Sequence, residues 1–269
     1  MAWNAYRKNR FILLIIAVIC IAMAENRDLP AQETPRQNVN FRIDNRIITD
    51  NHVVNGVTIF YNNVVYDCLG EHGAITIYDR RNGTMTLLDP SCRLQTQFKI
   101  SELTKEAEKR KEACLKSNNF FLNYLAAPYF EDEQYEAESG IMIFRSPWIE
   151  YRFETVRLDD AGISERYYDF CRQLTLLNIR VSRMPSPMIR AVLNPTLERH
   201  QRFPGKVSMT LYPKGKIILA GSVFQVETTH AFVRRLQPTD ENRVRQAKKF
   251  QELFRELPPD DYLLEIDGK

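Results

Sequence analysis

Residues 73–103, GAITIYDRRNGTMTLLDPSCRLQTQFKISEL, restrict the fold more than any other stretch of the chain. Ile75 and Ile77 alternate with Thr76 and Tyr78, and Met85 and Leu87 alternate with Thr84 and Thr86. Leu94, Thr96, Phe98 and Ile100 then alternate with Arg93, Gln95, Gln97 and Lys99. Successive side chains of a strand point to opposite faces, so period two spells a strand with one apolar and one wet face. Asp79-Arg80-Arg81-Asn82-Gly83 and Asp89-Pro90 supply turn residues between these segments. Connections this short join antiparallel strands; a parallel pair needs a crossover of a dozen residues or more. The stretch therefore predicts an antiparallel meander whose apolar face must be covered. Asn82-Gly83-Thr84 matches a glycosylation sequon, but it serves more simply as the hairpin turn.

The cover is written nearby. Ser101 with Glu102 starts a predicted helix in which Leu103, Ala107, Cys114, Phe121 and Leu125 form a narrow apolar stripe, ending before Pro128. A second helical block from Ser164 gathers Tyr167, Phe170, Cys171, Leu174 and Leu177 on one side, and Ser186-Pro187 opens a shorter helix that Pro195 interrupts. Thr239-Asp240 opens a last one, with Val244, Ala247, Phe250, Leu253, Phe254 and Leu257 inward and Pro258-Pro259 as its stop. Between them, FRIDNRIITDN, VTIFYNN, VVYDCL, YFEDEQYEAES, GIMIFRS, WIEYRFETVRL and the run from Gly205 to Leu236 read as strands, with a turn at Pro213-Lys214-Gly215. The acidic run over residues 131–138 reads as a charged edge strand. Strands joined by turns, with helices in separate blocks, give an α+β fold with a large antiparallel sheet and helices on one face.

The N-terminus has a different grammar. Arg7, Lys8 and Arg10 precede the apolar run FILLIIAVICIA, and Ala22 and Ala24 sit where a signal peptidase reads small residues. Residues 1–24 are expected to be a signal peptide; the alternative is an uncleaved anchor at residues 11–24, although twelve apolar residues fall short of the roughly 20 a spanning helix needs. Residues 25–40, with Pro30 and Pro35, read as a flexible linker, residues 41–257 as one α+β domain and 258–269 as a C-terminal tail. Export implies a periplasmic or secreted protein, touching membrane only through the leader if it is kept.

Charge follows from the leader as well. The whole chain carries 37 Lys+Arg and 34 Asp+Glu, and residues 1–24 hold three bases and no acid, so 34 of each sign remain. A balanced chain without a basic, aromatic-interleaved patch does not suit nucleic acid, whose binding relies on releasing condensed counterions.

Few residues suggest chemistry. His52, His72, His200 and His230 each stand alone, and no C-x-x-C, G-x-S-x-G, H-E-x-x-H, Walker or G-x-G-x-x-G motif occurs. No catalytic residue, metal site or cofactor is expected. Beyond the leader four cysteines remain; Cys68 and Cys92, near strand ends, are candidates for one disulfide, whereas Cys114 and Cys171 lie on apolar helix faces. The sheet face offers a binding surface: Ile75, Ile77, Met85, Leu87, Leu94 and Phe98 could line a cavity for an acyl chain, each buried methylene contributing roughly 0.8 kcal/mol. The alternative is that the helix stripes fill that space.

A leader, a polar tether and a meander in which YDRRNGTMTLLDP leads through QTQFKISEL into a helix resemble the LolA-like lipoprotein-carrier fold. The same YD…G…LLDP arrangement is similar to that of exported planctomycete-type bacterial proteins. The resemblance implies a curved, half-barrel-like antiparallel sheet covered by helices and a non-enzymatic carrier or sensor of a lipid or lipoprotein acyl chain. An envelope protein–protein interaction module without a cavity is the alternative, and a hydrolase ranks last.

Overall fold

The computed structural model describes residues 39–49, 52–70, 73–181, 187–212 and 224–267. The leader with Ala22 and Ala24, nearly all of the linker, His72 and the Pro213-Lys214-Gly215 turn lie outside the described residues. The elements in chain order are β1 (Phe41–Thr49), β2 (His52–Tyr61), β3 (Val64–Leu69), β4 (Ile75–Asp79), β5 (Thr84–Asp89), β6 (Leu94–Lys99), α1 (Ile100–Leu115) and α2 (Phe120–Ala126). They continue with β7 (Asp132–Glu136), β8 (Ile141–Arg145), β9 (Ile149–Arg157), α3 (Ala161–Val181), α4 (Pro187–Arg199), β10 (Arg202–Leu211), β11 (Phe224–Val233), α5 (Pro238–Leu253), β12 (Arg255–Glu256) and α6 (Pro259–Asp267).

The twelve strands among the described residues form one sheet, in the order β12-β6-β5-β4-β3-β2-β1-β11-β10-β9-β8-β7. Every pairing is antiparallel except the two-residue β12, which runs parallel to β6. The fold is α+β, with a curved open sheet and helices packed on it. Two meanders make the sheet, β1–β6 and β7–β11, the second interrupted by α3 and α4. They join where β1 pairs with β11 from Arg42↔Val233 to Thr49↔Val226.

The larger core lies between the sheet and α1–α4. Phe41, Phe60, Met85, Tyr151 and Phe153 from the strands meet Leu103, Leu125, Phe170, Ile189 and Leu193 from the helices. Full burial of such side chains contributes about 1.5–3 kcal/mol each. Arg166 fixes α3 by donating to the Val39 and Asn62 carbonyls, its guanidinium lying 5.7 and 5.8 Å from the Phe41 and Phe60 rings. Tyr78 donates to Asp169 Oδ2 at 3.0 Å, which ties β4 to the same helix.

The opposite face differs from the expected wet surface over β2–β5. Val57, Ile59, Tyr66, Cys68, Ile75, Ile77 and Leu88 form a second core with Val244 and Ala247 of α5 and with Phe254. Burial of Val65–Cys68 and of Ile75–Tyr78 is therefore continuous, because helices cover both sides of these strands. Arg42 holds α5 in place, donating to both oxygens of the fully buried Asp240 at 3.1 and 3.0 Å. Asp240 also accepts from the Gln237 N–H at 2.8 Å and so caps α5.

Three helix expectations change. The long helix to Pro128 is two helices, because Asn119 accepts from the Phe121 and Leu122 N–H groups and starts α2 anew. The Asn123 amide meanwhile donates to the Cys114 and Leu115 carbonyls at the end of α1. Pro195 lies inside α4 without ending it. Pro259 does not begin a tail: as a first-turn residue it opens α6, which docks through the buried Tyr262.

Leu88 is fully buried whereas Leu264 is 71 % exposed. Leu88→Ala should destabilise the protein by about 2–5 kcal/mol in urea denaturation, and Leu264→Ala by less than about 0.5 kcal/mol.

Candidate functional site

The six apolar residues expected to line a common face do not share one. Ile75 pairs with Leu88 and Ile77 with Thr86, whereas Tyr78 pairs with Met85. This register turns Ile75 and Ile77 toward α5 and Met85 and Leu87 toward the larger core. Phe98 opposite Met85 faces the larger core, and Leu94, of the same parity as Phe98, is buried as well. Cys68 and Cys92 are both thiols and are not joined to each other. Strand β4 lies between Cys68 and β5, and two strand spacings of about 4.8 Å exceed the reach of a disulfide. Burial pushes the Cys68 thiol up to about 12, so it stays protonated at neutral pH.

The face covered by α1–α4 holds a feature the apolar reading omitted. A row of polar residues crosses it in register: His230 lies opposite Asn45, Thr58 opposite Asp67, Asp67 opposite Thr76, and Leu87 opposite both Thr76 and Thr96. Hydrogen bonds link its first half. His230 Nδ1 and Asn45 Oδ1 are 2.7 Å apart, Asn45 Nδ2 donates to Thr58 Oγ1 at 2.8 Å, and Thr58 Oγ1 donates to Asp67 Oδ1 at 2.6 Å. Gly56, opposite Asn45, leaves the amide room to reach Thr58; a Cβ there would come within 3.0 Å of the Cys68 carbonyl oxygen.

The donors fix the direction of this relay. An ionised Asp67 only accepts, so the Thr58 hydroxyl must donate to it and accept from the Asn45 amide. The Asn45 carbonyl then faces His230 and accepts a hydrogen bond from Nδ1–H, which leaves Nε2 as a bare acceptor. Nε2 is buried, and among the described residues nothing donates to it.

Helix α4 carries further polar groups into this interior. The Arg190 guanidinium is fully buried and lies 4.9 Å from the Phe153 ring and 5.7 Å from that of Tyr151. Its charge is felt at His230, and α4 packs on β10, the strand beside β11. Asn194, one turn further along the same side, is 1 % exposed, and neither atom of its amide has a hydrogen-bond partner among the described residues. The buried hydroxyls of Thr49, Thr96 and Thr228 are in the same condition. An unmet buried polar group costs about 1–3 kcal/mol, so Thr49, Thr228 and His230, gathered on the paired strands β1 and β11, mark a place suited to a hydrogen-bonding occupant, whereas Thr96 lies six strands away from β11. Asn45, His230, Leu87 and Phe232 keep intermediate exposure although they lie on the covered face.

Chemically the hydrogen-bonded half of the row holds a neutral imidazole at one end and a carboxylate at the other. Among the described residues no nucleophilic side chain is hydrogen-bonded to His230, and no group of three or more His, Cys, Asp or Glu side chains converges. No helix among them is long and apolar enough to cross a membrane. No family model matches the chain. No curated protein matches its sequence either.

Sequence reasoning passed over His230, Asn45, Thr58, Asp67, Arg190 and Asn194. A signal was present: Asn45 interrupts Phe41, Ile43, Ile47, and His230 with Thr228 stands between Val226 and Phe232, each at a mostly apolar parity.

Burial raises the Asp67 carboxyl from 3.8 to about 6, opposed by the Thr58 hydrogen bond. Its contribution to stability is full below its unfolded value of 3.8 and is lost as pH rises through about 6. Burial, and secondarily Arg190, lower His230 from 6.5 to about 4; its contribution is full above 6.5 and is lost as pH falls through about 4. Between about pH 4 and 6 the two trends oppose each other. Relative to the unaltered chain, Asp67→Asn should therefore lose stability by about 1.4 kcal/mol per pH unit as pH falls across that window, and His230→Asn should gain it at a similar rate. Urea denaturation at stepped pH reads both slopes. Asn194→Leu, close in volume and without the unmet amide, should raise stability by about 1–2 kcal/mol in the same measurement.

Proposed function

We propose that this chain is an exported cell-envelope protein that carries or senses a lipid or a lipoprotein acyl chain without transforming it. One observation supports the reading above others: a broad apolar face of a curved antiparallel sheet, roofed by helices, is crossed by buried polar atoms that no described residue satisfies. An amphiphile answers both halves of that surface. Its chain would lie against residues such as Met85, Phe98 and Phe153, and its polar end against the row. The leader pattern of residues 1–24 supports a periplasmic or secreted location.

A non-carrier reading, an envelope interaction module, is favoured by Phe120, which is 85 % exposed at the start of α2, with Tyr129 54 % exposed nearby in sequence. Exposed aromatic side chains of this kind are common anchors of protein contacts.

Solvent extraction of the purified protein, expressed without residues 1–24, followed by mass spectrometry separates the two. A carrier should release an acyl-chain compound in an amount comparable to the protein. Protein that yields none, and that takes up no acyl chain from vesicles, would leave the interaction module as the reading.

A further inference from the structure

We propose that the polar row is a head-group site selective for an uncharged, hydroxyl-bearing head on an acyl chain, such as the glycerol of a monoacylglycerol. This rests on the carrier reading and adds the chemistry of what is carried.

The selectivity follows from what each group can exchange. His230 Nε2 is a buried acceptor, held so by Nδ1 donating to Asn45, and it requires an O–H or N–H from its partner. Thr228 Oγ1, two residues away on the same side of β11, is fully buried and can both donate and accept. The strand rise of about 3.4 Å per residue spaces these two groups by roughly 7 Å, a span that a small polyol bridges. On the covering helix α4, Asn194, one turn from Arg190, carries two further donors and an acceptor that are buried without a partner among the described residues.

Charged heads fit less well. The Arg190 charge close to His230 repels an ammonium. Asp67, which could attract one, lies beyond Asn45 and Thr58 and already accepts from Thr58. An ionised carboxylate has no proton to give Nε2 and would set its oxygens against that lone pair. The Arg190 guanidinium is held over the Phe153 and Tyr151 rings, 4.9 and 5.7 Å from their centres, and donates no proton to the Nε2 lone pair through such a carboxylate. A site built to hydrogen-bond a hydroxyl discriminates strongly against an analogue that lacks it, because its own buried groups are then left unmet.

The test is competition. The full chain, purified and delipidated, is loaded with N-phenylnaphthylamine, a neutral fluorescent probe, at about pH 8, where His230 is neutral by the geometry above. Monolauroylglycerol and laurate share one chain length and differ in the head. Monolauroylglycerol should displace the probe at about tenfold lower concentration or less. His230→Phe and Asn194→Leu should bring the two ligands within about twofold of each other while the probe still binds. Thr228→Val, nearly isosteric, serves as a third variant should either of the others fail to fold, and it should also weaken the preference. Equal displacement by the two ligands, a preference for laurate, or variants that keep the preference would overturn the head-group site and leave the carrier standing. Failure of both ligands to displace the probe would remove the carrier reading and the head-group site together.

Discussion

The pairing of β1 with β11 is the contact on which the rest of the structure depends. Strands β1–β6 run as one continuous meander, and β7–β11 as a second that α3 and α4 interrupt. Neither would close over the helices alone. The seam from Arg42↔Val233 to Thr49↔Val226 makes one sheet of them. It also carries the first link of the polar row, since Asn45 meets His230 across it. A slip of one residue at this seam would turn Asn45 outward and bring a neighbour such as Asp44 inward, because the side-chain period is two. Assembly of the sheet and of the candidate site are thus a single event.

Tight apolar packing anchors the fold on both sides of that seam, and the two sides are held differently. On the α1–α4 side aromatic contacts dominate: Phe41 stacks on Phe60 at 4.1 Å, and Phe60 meets Phe170 edge-on at 5.8 Å. On the α5 side a smaller aliphatic and aromatic cluster is pinned by the Arg42–Asp240 pair, in which the carboxylate is wholly removed from water. Such a pair contributes more to where the helix docks than to net stability, because desolvation offsets much of its attraction. Arg42 and Asn45 are near neighbours on one strand with opposite duties, the first turned to the back helix and the second to the interior row.

The architecture was legible because it is written in local periods. Alternation over residues 75–100 gave β4–β6, and the Asn82-Gly83 and Asp89-Pro90 turns gave their direction. What escaped depends on register or on long-range cover. Nothing within ITIYD shows that both of its faces are buried, since α5, which covers one of them, lies more than 150 residues away. Ile75 and Met85 read alike along the sequence, and only the pairing of β4 with β5 sets them on opposite faces. The interior row was partly readable, as polar residues at apolar parity in β1 and β11. Its joining into one relay was not, because Asn45, Thr58, Asp67 and His230 come from four strands.

The two lateral borders of the sheet are closed by unlike means. At one, Arg255–Glu256 occupies β6 for two residues and hands over to α6. At the other, β7 offers Asp132, Glu133 and Glu136 along an exposed strand, with Arg145 of β8 drawn to Asp132. Strand addition by a second copy is opposed at the first border by β12, which occupies Leu94 and Gln95, and at the second by the carboxylates that two β7 strands would bring together. The surfaces left without such a guard are the helices and the charged outer face of β9, β10 and β11, where Lys206 meets Glu227, so the sheet's borders are the places least suited to joining a second copy.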